Sequence, residues 1–220
     1  DTITYSYSVI VPSSKAERRF RLKEVTGPES PITCGNCSVN VLGHYGIQYE
    51  VTFDHSGVDP SYDETVVTVD GDDYGVTELP VSFWWDEDSV HSFAFHSPLT
   101  IPNTKKHLWA STSGLSTLQT DSITVSVSGN ITGNYASQYY LEVQTDPAGL
   151  SPAPSPPSDW YDENVNVTLT APEESYIDST RYLFDYWNID GVSQGSAVNP
   201  ITMSMNQAYV GGKCFGYGRF

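Results

Sequence analysis

From Thr2 the chain alternates. Ile3, Tyr5, Tyr7, Val9 and Val11 are separated by small polar residues, the period-two signature of a half-buried strand. The same period returns along the whole sequence, and the residues that carry it are mostly Tyr, Val, Thr and Ile, which favour strands. Three stretches repeat one another: ITCGNCSVNVLGHYGIQYEV from Ile32, SITVSVSGNITGNYASQYYLEV from Ser122 and NPITMSMNQAYVGGKCFGYGRF from Asn199. Each reads as a strand, a Gly-centred turn (Gly43-His44-Tyr45, Gly133-Asn134-Tyr135, Gly211-Gly212-Lys213) and the start of another strand. The turns lie about 90 and about 80 residues apart, a domain-sized period rather than a solenoid-sized one.

Other segments fall into line with that period. RRFRLKEVTG from Arg18, KKHLWASTSG from Lys105 and RYLFDYWNIDG from Arg181 are each basic, then aromatic, then a turn ending in Gly. QYEVTF from Gln48 and QYYLEVQ from Gln138 open the second and third copies, and FWWDEDS from Phe83 and DWYDENV from Asp159 give each a Trp-rich acidic corner. The strand from Thr2 aligns with NVNVTLTAP from Asn164 if Pro12 and Pro172 coincide. The first copy then lacks an opening strand and the loop behind it. TVVTVDGDDYGV from Thr65 is two alternating runs about an Asp-Gly turn, a hairpin signal. PAGLSPAPSPPSDW from Pro147 is too rich in Pro for a strand and reads as a loop over its module or a spacer.

The expected fold is all-β. It comprises tandem immunoglobulin-like antiparallel sandwiches, with small β-grasp-like repeats as the alternative. The modules run over 1–47 (incomplete), 48–137 (with the inserted hairpin) and 138–220 (with the Pro-rich loop and a C-terminal strand). The run QYYLEV, DWYDENVNVTLTAP, RYLFDYWNIDG and NPITMSMNQA resembles the tandem repeats of archaeal and bacterial cell-surface proteins related to the divergent internalin-type B-repeat. The resemblance spans 138–213, extends over 48–137 with an insertion, and covers 3–45 in part. It implies an extracellular repeat architecture and no activity.

The formal net charge is -17, with only 10 Lys and Arg, so a phosphate backbone or an anionic membrane surface is repelled and nucleic acid is not an expected partner. No apolar run of about 20 residues is present, so no membrane-spanning helix of the kind through which type IV pilins polymerise is expected. Asp1-Thr2-Ile3 reads as a processed N-terminus. Sequons at Asn36, Asn130 and Asn166 predict N-linked glycans on a secreted surface protein. Cys34, Cys37 and Cys214 make an odd count, which predicts a structural disulfide and at least one thiol that is free or bonded to another chain.

Candidate chemistry is sparse. Asp70, Asp72 and Asp73, with Asp86, Glu87 and Asp88, are the candidate calcium ligands, against the plainer reading of an acidic hairpin turn. His44, His55, His91, His96 and His107 show no ligand spacing. No nucleophile elbow or phosphate loop is present, so no enzyme activity and no cofactor other than calcium is expected. Trp84, Trp85, Trp109, Trp160 and Trp187 recur at matching places, which favours core packing over a sugar-binding platform. The expected function is a structural subunit of an extracellular, pilus-like filament on the cell surface. Identical subunits join head to tail by donor-strand complementation. Phe215, Tyr217 and Phe220 form the expected donor strand, with Ile3, Tyr5, Tyr7, Val9 and Val11 as the alternative donor. The competing reading is an adhesin, glycan-binding or S-layer-type repeat fragment of a larger surface protein.

Overall fold

The computed structural model describes residues 2–36, 38–196, 198–215 and 217–219, with side chains as far as Tyr209. The fold is all-β, and every regular element among the described residues is a strand. In chain order these are β1 (Thr2–Ile3), β2 (Ile10–Pro12), β3 (Arg18–Thr26), β4 (Ile32–Thr33), β5 (Leu42–Ser56), β6 (Thr65–Val69), β7 (Asp72–Gly75), β8 (Val81–Asp86) and β9 (Val90–Phe95). There follow β10 (Leu99–Ile101), β11 (Lys105–Gly114), β12 (Thr120–Thr124), β13 (Gly129–Asp146), β14 (Asp159–Asp162), β15 (Asn166–Leu169) and β16 (Glu174–Ile177). The last six are β17 (Thr180–Phe184), β18 (Tyr186–Ile189), β19 (Val192–Ser196), β20 (Ile201–Ser204), β21 (Tyr209–Phe215) and β22 (Tyr217–Arg219).

Two compact units divide the chain: residues 1–56, 63–96 and 111–134 in one, and 57–62, 97–110 and 135–220 in the other. The sequence boundaries expected at 47/48 and 137/138 fall inside β5 and β13. The Gly-centred turns expected there are not turns, because Gly43, Gly133 and Gly211 all lie within strands. Two of these glycines make room for a ring instead. A Cβ on Gly43 would meet the Tyr7 ring at 2.8 Å, and one on Gly133 the Phe95 ring at 2.6 Å. The glycines ending the basic-aromatic segments do turn the chain: Gly27, Gly114 and Gly191 have φ of 125°, 104° and 85°.

In the first unit β5 pairs antiparallel with β3 (Leu22 opposite Tyr45) and with β8 (Val51 opposite Phe83). It also pairs parallel with the start of β13, Val51 beside Gly129 and Phe53 beside Ile131. A second sheet has the order β12-β9-β6-β7. Its β6–β7 hairpin turns on Asp70 and Gly71, both at positive φ (51° and 93°), as an Asp-Gly turn requires. Val51, Phe53, Val66, Val67, Phe95 and Ile131 are at most 2% exposed. Phe53 is the hub, its ring 5.5 Å from Phe93, 6.0 Å from Trp85 and 6.1 Å from Phe83.

The second unit repeats the scheme. β13 pairs antiparallel with β14 (Leu141 opposite Asp159) and parallel with β21 (Leu141 beside Tyr209, Thr145 beside Cys214). Its core gathers Leu141, Val167, Leu169, Ala171, Trp187, Met203 and Met205. The Pro-rich loop lies on this unit as a loop, bridged at Ser151 to Tyr176 and at Ser155 to Thr170. Leu150 of this loop is buried, and Ser175 donates to the Pro152 carbonyl at 2.7 Å. Register corrects the alignment of the first copy by three residues. Pro12 stands opposite Arg19, and the residue opposite Tyr182, which occupies the place of Arg19, is Ser175 and not Pro172. Both partners stand seven residues ahead of their cationic or aromatic mate, a pairing that matching the two prolines in sequence does not see.

Candidate functional site

The same side-chain cluster is built twice where one long strand meets an acidic corner. In the first unit Arg19 lies over the Trp84 ring at 4.3 Å, and its Nε donates to Gln48 Oε1 at 2.8 Å. Gln48 Nε2 donates to Asp86 Oδ1 at 3.0 Å, and Tyr49 reaches Glu87 at 3.3 Å. In the second unit Lys106 lies over Trp160 at 4.7 Å, Gln138 donates to Asp162 at 2.7 Å, and Tyr139 reaches Glu163 at 3.3 Å. Lys23 also pairs with Asp86, and that hydrogen bond holds the Asp86 carboxyl below the usual carboxylate range. The matching tryptophans are therefore Trp84 and Trp160, with Trp85 matching Tyr161, one residue from the sequence alignment. Trp85 and Trp187 are buried, and Trp84 and Trp160 are covered by cations, so core and junction packing use four of the five.

Among the described residues no strand lies on residues 39–41 as β5 lies on the start of β13. Leu22 N donates to Val9 O, as Trp109 N donates to Ser97 Oγ, and Val11 stands opposite Phe20 as Leu99 does opposite His107. That register gives Tyr5 and Tyr7 the places that Phe93 and Phe95 hold further along the first unit. The two ring pairs match, at 5.9 Å and 70° for the tyrosines and 5.7 Å and 70° for the phenylalanines. Phe53 packs on Phe93, and among the described residues of 2–47 the ring packed against Tyr5 is Tyr7. The closing strands differ accordingly. Ile131 is 0% exposed, whereas its counterpart Val41 is half-buried and Val39 is 40% exposed. No described residue among 2–47 is buried, and Ile3, Val9, Val25 and Leu42 are exposed apolar side chains.

Those of the expected donor residues that the structure describes lie within this chain's own fold. Phe215 lies in β21 beside Asp146, and Tyr217 lies in β22 opposite Phe184; Phe220 lies outside the described residues. Ile3 pairs with Ile32 in the β1–β4 ladder, and Val11 pairs with β3. Cys34 is disulfide-bonded, with a partner outside the described residues, as Cys37 and the Cys214 side chain are. Asn36, Asn130 and Asn166 are all exposed.

The acidic hairpin does not form a ligand set. Asp70 accepts from His91 Nδ1 at 2.6 Å and from Ser92 N at 2.9 Å, while Asp73 accepts from Thr68 at 2.5 Å. Among the described residues no group of three or more His, Cys, Asp or Glu could hold a metal ion.

Sequence reasoning missed a Ser-His-Asp arrangement. His91 joins Asp70 to Ser89, with Nε2 2.9 Å from the Ser89 Oγ, and stacks on Trp85 at 3.7 Å. No periodicity signals it, because the three residues meet only through the β6–β9 register. The Ser89 hydroxyl already donates to the Asp86 carbonyl at 2.5 Å. The amides of Glu87, Asp88 and Ser89 donate to Ile47, Val125 and Asp86, so this turn has no amide left to stabilise an oxyanion. The network pins the β8–β9 turn.

In the second unit a cleft of about 660 Å³ is lined by Asp59, Lys105, Ser137, Asp162 and Glu163 among others. Lys105 pairs with Asp59 at 3.3 Å. Hydrogen bonds from the Ser61 amide and hydroxyl hold the Asp59 pKa at about 2. Burial works against the Lys105 charge, but Tyr139 and Asp59 outweigh it and its pKa ends above the ordinary lysine value. Both partners are ionised at neutral pH, so this is an ion pair rather than an acid-base couple. No helix among the described residues is long and apolar enough to cross a membrane. No family model, curated protein or solved structure matches the chain.

Proposed function

We propose that this protein is a structural subunit of an extracellular filament, in which identical subunits join by strand complementation at the N-terminal sheet. The observation that carries this reading is the uncovered edge. Val39, Val41 and the Tyr5–Tyr7 pair occupy positions that the next module covers with Val51 and Phe53. Native sheets blunt a free edge with charges or proline. Residues 32–49 contain no Asp, Glu, Lys, Arg or Pro, in a chain of net charge -17. The modules are immunoglobulin-like sandwiches in this reading, and the exposed sequons carry glycans. Because Cys34 is already bonded, one of the three cysteines is left for a bond between subunits.

The experiment is light scattering and negative-stain microscopy of the purified chain over a range of concentrations. Concentration-dependent open multimers are expected. A monomer at every concentration, with rapid amide exchange along residues 39–47, overturns the reading.

A second reading has its own support. β5 and β13 each continue a closing strand directly into an opening strand, which is how a tandem array would be strung. The chain is then a stretch of a longer cell-surface repeat protein, and a preceding part of the same polypeptide fills the edge. The mass of the native polypeptide separates the two.

A further inference from the structure

Resting on the strand-complementation reading, we infer both the strand that fills the edge and its register. It is the segment Phe215–Arg219 of a second copy, running parallel to Val39–Gly43, with Phe215 beside Val39, Tyr217 beside Val41 and Arg219 beside Gly43.

The chain supplies its own template. In the first unit the opening strand lies parallel to the closing strand with Val51 beside Gly129, Phe53 beside Ile131 and His55 beside Gly133. The second unit repeats the direction, with Leu141 beside Tyr209 and Thr145 beside Cys214. Carried to the N-terminal sheet, this register asks for an apolar residue beside Val39 and a ring beside Val41 that packs on Tyr5, as Phe53 packs on Phe93 at 5.5 Å. The third position lies beside Gly43, whose surface is closed by Tyr7 as that of Gly133 is by Phe95.

Phe215, Tyr217 and Arg219 reproduce the series Val51, Phe53, His55 at the same alternate spacing: apolar, aromatic, cationic or imidazole. The intervening Gly216 and Gly218 bring no side chain to the other face. Within its own chain β22 is held to β17 by a short ladder, Tyr217 opposite Phe184 to Arg219 opposite Tyr182, and Phe215 ends β21 beside Asp146, so exchange gives up that short ladder and one terminal pair. The contact uses different surfaces on the two partners, a heterologous joint that propagates as a fibre when the rotation between neighbours does not close a ring.

The test compares the intact chain with one ending at Cys214 and titrates each with the hexapeptide FGYGRF. Truncation is expected to abolish concentration-dependent multimers, and the peptide is expected to bind the truncated chain one to one. Val41→Asp and Tyr5→Ala should each weaken the peptide by about tenfold or more, since each removes apolar or ring contact at the centre of the docked strand. Val90→Asp, at an exposed apolar position off the edge, should leave binding unchanged. Val41→Asp in the intact chain should also abolish multimers, which covers the case of a truncated chain that does not fold. Multimers that survive both truncation and Val41→Asp overturn the inference, as does peptide binding indifferent to both edge substitutions. An intact chain that stays monomeric while the peptide binds in this pattern overturns the filament reading and leaves the docking register standing.

Discussion

Ile131→Ala and Val41→Ala remove comparable side chains from equivalent closing-strand positions, and the structure predicts unequal costs. Ile131 is 0% exposed and lies beside Phe53 in the first core. Three methyl or methylene groups at about 0.8 kcal/mol each, plus the cavity they leave, put Ile131→Ala at about 3–4 kcal/mol. Val41 loses two such groups from a half-buried position, so its replacement costs about 1 kcal/mol or less in the free subunit. Native-state hydrogen exchange of the amides in β3, β5 and β13, with denaturant unfolding alongside, measures both. In assembled material the cost of Val41→Ala should rise toward that of a core valine, because the added strand covers it. Equal costs in the free subunit would mean that the N-terminal sheet is already covered, and the argument for an acceptor edge would fail.

Three further outcomes follow from the geometry. His107 is 0% exposed between the Asp59 amide and Ser137, and burial, followed by the Lys105 charge, holds its pKa below 6.5. The unfolded chain therefore takes up a proton that the folded one refuses. Stability is complete above about pH 6.5 and falls as pH drops toward the folded pKa. His107→Gln should flatten the melting temperature between pH 7 and 5, and an unchanged slope refutes the assignment. Gly114→Ala places a Cβ 1.9 Å from the Asn130 carbonyl at φ 104° and should cost about 1–3 kcal/mol in denaturant unfolding; a cost near zero means the turn differs. A double-mutant cycle on Arg19 and Trp84 should give a coupling of about 0.5–1 kcal/mol, matched by Lys106 and Trp160, and additivity at both sites removes the junction cluster as an energetic unit.

The repeat was legible because alternation and spacing survive without knowledge of partners. The matching of Tyr45 to Tyr135 is the register found in the ladders, where Val51 and Leu141 hold the same place. The Asp-Gly hairpin was legible because its turn chemistry is local. What failed depended on long-range pairing. Gly43 and Gly133 read as turn residues, yet they are sites of close ring approach, and no local signal separates the two uses. The offsets at Pro12 and at the paired tryptophans come from cross-strand pairing, Pro12 with Arg19 and Ser175 with Tyr182, Glu50 with Trp84 and Tyr140 with Trp160, which one-dimensional alignment does not contain. The Asp70–His91–Ser89 network and the Lys105–Asp59 pair join residues from separate strands or loops, so composition could not join them. The candidate acceptor edge itself was legible only as a missing strand; the place of its half-buried Tyr5–Tyr7 pair required the register.

Moving a strand from its own ladder to a neighbour's edge exchanges backbone hydrogen bonds of similar kind, so the ladders nearly cancel and side-chain burial decides the balance. The edge carries no charge from residue 32 to 49, whereas whole subunits repel one another with a formal charge of -17 each. Raising salt from about 0.05 M to about 0.5 M shortens the screening length severalfold, which weakens that repulsion and leaves apolar docking intact. Assembly should therefore strengthen with salt, read as a lower critical concentration in light scattering. An interface held by ion pairs responds in the opposite direction. A rise in the critical concentration with salt would place the contact on charged surface away from Val39–Gly43.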